Sequence, residues 1–65
     1  MKELSVNPTE ATVRLTCSEV ELFLSAINES LESVDEREFS TRTGFEKGDF
    51  YAIQTELKAL RGNMK

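Results

Sequence analysis

The stretch Glu38–Leu57, EFSTRTGFEKGDFYAIQTEL, constrains this chain most, because it sets a glycine between two segments whose large apolar residues recur at helical spacing. Phe39 stands before Gly44, Phe45 follows it directly, and Phe50, Ile53 and Leu57 repeat beyond. An apolar side chain at every third or fourth position forms one stripe on a helix, and such a stripe has to be covered. Glycine accepts the left-handed backbone that ends many helices, so the segment predicts a short helix up to Gly44, a turn over Gly44–Gly48 and a second helix. Asp35, three residues before Glu38, has the spacing of a cap for the short helix. Either Glu46 or Asp49 can begin the last helix, whose stripe is Phe50, Ile53, Leu57 and Leu60 and whose end is expected at Gly62.

The longest element precedes this unit. Thr16 with Glu19, and Ser18 with Glu21, both fit the capping box S/T-x-x-E, which places a helix start within a residue or two of Cys17. Val20, Phe23, Leu24, Ile27, Leu31 and Val34 then supply a stripe for a helix over about 18–34. Glu21, Asn28, Glu29 and Glu32 fall outside that stripe and make the opposite face acidic. Upstream, ELSV and TVRLT alternate apolar and polar residues around NPTEA, whose Asn7 and Pro8 favour a turn. The expected fold is therefore mainly α with an α+β character: a short N-terminal β-hairpin or strand, then a three-helix cluster with a helix-turn-helix-like C-terminal half. Residues 1–65 are expected to form one small domain, with 1–11 serving as a flexible arm or first strand, and Phe23, Phe39, Phe45 and Phe50 as the bulk of the core.

A chain of 65 residues buries only about 60% of the surface its unfolded form exposes. Natural scaffolds of this size often add a disulfide, a metal or a second subunit. Cys17 is the single cysteine and histidine is missing, which excludes an internal bridge and leaves no zinc ligand set. Self-association remains, so a homodimer is expected. Without histidine, a Ser-His or Cys-His pair, G-x-S-x-G or a Walker loop, the sequence offers no catalytic residue and no cofactor site. Asp35, Glu36 and Glu38 lack the alternating ligands and central glycine of a calcium loop, so no metal is expected. Cys17 reads as a small buried apolar residue. No apolar run approaches the ~20 residues that cross a bilayer, and MKELSVNPTE lacks the core of a signal peptide, so a cytoplasmic location is expected.

Twelve acidic residues against eight basic ones give a net charge of −4. This balance opposes non-specific attraction to nucleic acid and favours basic partner surfaces. The span 18–38 carries seven acids against Arg37 alone. Glu21, Glu29 and Glu32 on its outer face are candidate partner-binding residues. So are Leu22, which projects almost opposite the buried stripe, and Tyr51, which lies beside the last stripe. The leading expectation is a non-enzymatic protein–protein interaction module, in its sharpest version an inhibitor or immunity-type protein for a basic partner.

The alternative is a helix-turn-helix regulator that binds DNA. Phe39, Gly44, Phe45, Phe50, Ile53 and Leu57 match the buried and turn positions of such units, but two helices joined by a tight turn need the same spacing without DNA. Reading bases or phosphates would fall to Arg42, Lys47, Gln54 and Lys58, interrupted by Asp49 and Glu56. The order L-T-x-x-E-V-E-L-F-L-x-A-I-N-E, then E-F-x-T-R-T-G-F and a final amphipathic helix, resembles short uncharacterised bacterial proteins with a TR-x-G turn. That resemblance covers roughly Thr12–Leu57, singles out Thr41, Arg42 and Gly44, and implies a bacterial or phage origin without an activity.

Overall fold

The computed structural model describes residues 1–64 and has the expected mainly helical α+β order. Strands β1 (Lys2–Val6) and β2 (Ala11–Arg14) form an antiparallel hairpin, followed by helices α1 (Cys17–Ser33), α2 (Glu36–Thr43) and α3 (Lys47–Asn63).

Local chemistry explains each boundary. At the hairpin turn the Asn7 side-chain oxygen accepts hydrogen bonds from the backbone N–H groups of Thr9 and Glu10, each at 2.9 Å. The Asn7 N–H donates in turn to the Glu10 carbonyl at 3.0 Å. An asparagine that holds the next turn in this way leaves Pro8 to supply its fixed φ. Across the strands Lys2 faces Arg14, Glu3 faces Val13, Ser5 faces Thr12 and Val6 faces Ala11, so Leu4 is an extra residue that bulges β1.

The first of the two capping boxes starts α1: Thr16 Oγ1 accepts from the Glu19 N–H at 3.2 Å, and the Glu19 carboxylate accepts from the Thr16 N–H at 3.0 Å. Asp35 caps α2 through the Glu38 N–H at 2.9 Å. Gly44 ends α2 at φ 77°, with its N–H donating to the Ser40 carbonyl. Both expected starts of α3 take part. Glu46 is the cap residue, and its N–H donates to the Asp49 carboxylate at 3.1 Å. The helix continues one residue past Gly62.

The buried apolar core consists of Val20 and Leu31 of α1 and Phe39 of α2. Phe39 meets Phe50 of α3 edge to face, with ring centroids 4.6 Å apart, and burying such a ring stabilises the fold by about 1.5–3 kcal/mol. Phe23 and Phe50 are half-buried, and Phe45, expected inside, is 58% exposed.

The molecule is flat, 36 × 31 × 15 Å across its Cα positions. Its radius of gyration is 13.4 Å, against about 11 Å for a compact chain of this length. Every side chain of both strands is exposed, and the hairpin reaches the helices through an ion pair between the Met1 ammonium and the Glu19 carboxylate.

Candidate functional site

Helices α1 and α3 run antiparallel, and polar side chains at seven-residue spacing stitch the seam between them. The Lys47 ammonium donates to the Leu31 carbonyl at 3.0 Å, the Gln54 amide donates to the Asn28 side-chain oxygen, and the Arg61 guanidinium grips Glu21 at 2.9 and 3.0 Å. Seven residues make almost two helical turns, so Lys47, Gln54 and Arg61 lie on one face. Charge explains the first contact. The last turn of α1 contains no basic residue, and a helix C-terminus favours a cation, which Lys47 supplies from the neighbouring helix while its ammonium sits 5.9 Å from the centroid of the Phe39 ring.

This seam rolls α3 away from the stripe its sequence predicts. The inward residues are Lys47, Phe50, Gln54, Leu57 and Arg61, each buried or half-buried. Ile53 and Leu60, expected inside with Phe50 and Leu57, are 49% and 43% exposed. The long Lys and Arg stems cover apolar surface while their heads reach polar partners, so they occupy positions that aliphatic residues were expected to fill. Sequence reading missed this seam, although the matched spacing of Lys47, Gln54 and Arg61 against Glu21 and Asn28 is a signal that could have found it.

The displaced apolar residues form the candidate site. Phe45, Asp49, Phe50, Ala52 and Ile53 line an open depression of about 690 Å³ at the start of α3, and Leu60 continues the apolar flank two turns beyond Ile53. Its lining is overwhelmingly carbon, with Asp49 as the charged member. Such a surface can bury apolar side chains of another protein; it offers no nucleophile or proton-transfer pair. Among the described residues no group of three or more acidic, cysteine or histidine side chains is arranged to hold a metal ion.

The sequence-derived partner residues are dispersed. Leu22, 64% exposed, and Glu29, seven residues on, share the outer face of α1, where Glu29 accepts from the Ser33 hydroxyl at 2.7 Å. Glu32 is exposed as well. Glu21 turns instead toward α3 and is taken by Arg61. Tyr51, 52% exposed, sits on α3 apart from the others.

Of the candidate DNA-reading residues, Lys47 and Gln54 are engaged in the fold, whereas Arg42 and Lys58 are exposed. Arg42 pairs with Glu38 at 3.5 Å, Lys47 is held at the end of α1, and Gln54 is buried against Asn28. Presenting Gln54 to a base edge would require unpacking the seam.

No protein-family model, curated protein or solved structure matches this chain.

Proposed function

We propose that this chain is a protein-association module without catalysis, which pairs with a second copy of itself and presents acidic α1 to a basic protein in the manner of an inhibitor or immunity protein. One quantity carries the reading. The molecule exposes 5217 Å², whereas a compact monomer of 7.4 kDa exposes about 4,200 Å². The surplus, about 1,000 Å², compares with the ~800 Å² that each partner contributes to a standard protein interface. Large apolar side chains contribute to the exposed surface: Leu4, Val6, Leu22, Phe45, Tyr51 and Ile53 are all exposed. Of these, Phe45 and Ile53 share the depression at the start of α3, and an exposed apolar patch of this kind can mark an association surface.

Charge supports the choice of partner. The span 18–38 has a net charge of −6, which draws a basic surface into encounter and repels a duplex. Neutralising part of that band should slow association with a basic partner without unfolding the subunit.

The test pairs two assays. Capture of a protein by the unmodified chain, lost in both Ile53→Asp and a Glu29→Lys/Glu32→Lys variant that retain the helical circular-dichroism spectrum, supports the reading. Tight duplex binding at low salt that falls steeply as salt rises would overturn it in favour of a DNA regulator.

A further inference from the structure

A two-stranded hairpin is marginal in water unless it gains a third strand or lies against a helix. Here it gains neither, because the side chains of β1 and β2 are exposed throughout. The two open edges differ. The bulge at Leu4 interrupts the edge of β1, which disfavours further pairing there, whereas β2 is regular from Ala11 to Arg14.

The Glu10 carbonyl faces β1, where it accepts the Asn7 N–H. Backbone groups alternate in direction along a strand, so those of Thr12 also face β1 and those of Ala11 and Val13 point to the open edge.

We infer that β2 pairs antiparallel with β2 of a second copy, centred on Thr12, to form a continuous sheet in the order β1-β2-β2-β1. This inference rests on the association reading above and names its homotypic surface. In this register Ala11 and Val13 exchange their main-chain hydrogen bonds with Val13 and Ala11 of the other copy. On one face Ala11 meets Val13, and on the other Thr12 meets Thr12 while Glu10 meets Arg14, at the closer, non-hydrogen-bonded spacing that suits an ion pair.

The charge arrangement inside one subunit supports this register. Arg14 stands directly opposite Lys2, a like-charge pair that disfavours the isolated hairpin. Neither Arg14 nor Glu10 has an ion-pair partner among the described residues. A second copy places the Glu10 carboxylate beside Arg14 and answers both vacancies at once. Shifting the pairing by two residues in either direction keeps the hydrogen bonds but removes the ion pairs, so charge selects one register.

The test is sedimentation equilibrium on the full chain, the single variants Arg14→Glu and Glu10→Arg, an equimolar mixture of the two, and the double variant carrying both changes. Each single variant sets like charges across the symmetric contact and is expected to weaken the dimer about tenfold. Arg14→Glu also places a carboxylate opposite Lys2 within the subunit, so its loss of dimer cannot be assigned to a melted hairpin. The mixture and the double variant both restore opposite charges and should recover the dimer. A dimer that persists unchanged in both single variants, or that neither the mixture nor the double variant restores, overturns this register while leaving the association reading in place. A chain that is monomeric at every concentration removes both.

Discussion

Truncating Asn28 to alanine is predicted to cost more than replacing its buried partner, Gln54, with leucine. The asymmetry follows from where the two amides sit. Gln54 is 9% exposed and donates to Asn28, whereas Asn28 faces solvent on its other side. Asn28→Ala leaves the Gln54 amide buried without that acceptor, a loss of about 1–3 kcal/mol. Alanine's better helix propensity returns up to about 0.7 kcal/mol, so the net cost is about 1–2 kcal/mol. For a domain of this size each kcal/mol shifts the melting temperature by about 4–8 °C, which puts the loss between about 4 and 16 °C. Gln54→Leu removes the buried amide and leaves Asn28 free to bind water, so its effect should lie between neutral and slightly stabilising. In the Gln54→Leu background, adding Asn28→Ala should then cost nothing. The assay is thermal melting of the four proteins by circular dichroism at one fixed concentration, because association raises apparent stability by mass action. Equal losses in the two single variants, or a silent Asn28→Ala, would refute the reasoning by showing that Gln54 is satisfied without Asn28.

Other expectations follow from the same geometry. At Gly44 a β-carbon would meet nothing within 4 Å, so substitutions there should cost only backbone strain at φ 77°: about 1–2 kcal/mol for alanine, more for valine and least for asparagine, read from urea midpoints. An unchanged midpoint for Gly44→Val would show that the turn tolerates a β-branched residue. Phe39→Ala empties the centre of the small core and should cost about 3–5 kcal/mol, enough to abolish the cooperative melt. Lys47→Met keeps the stem over Phe39 but loses the donor to the Leu31 carbonyl and the cation at the end of α1. It should lower stability by about 1 kcal/mol, and faster amide hydrogen exchange in the last turn of α1 is the measurement that checks it. Leu22→Glu, on the outer face of α1, should leave the melting temperature within about 2 °C of the parent.

The helix ends were legible because their causes are local. Thr16 with Glu19, Asp35 with Glu38, and Gly44 each act within three or four residues, and the pairing of Asn7 with Pro8 at the hairpin turn is equally local. The long stripe of α1 was readable for the same reason: it contains no competing polar residue. On α3 two faces compete. Phe50 and Leu57 belong to both, and the choice between Ile53 with Leu60 and Gln54 with Arg61 depends on Asn28 and Glu21, more than twenty residues away in the chain. Apolar spacing could not anticipate that choice, since it assigns no value to a polar residue whose partner lies on another helix. The apolar flank of the candidate site went unread as a direct consequence. It is the stripe that the seam turned outward.

Sedimentation equilibrium of the unmodified chain across a wide concentration range tests most directly whether the chain pairs with a second copy of itself. The expected result is a folded species of twice the 7.4 kDa chain mass that dissociates on dilution. A well-folded 7.4 kDa particle at every concentration would contradict it.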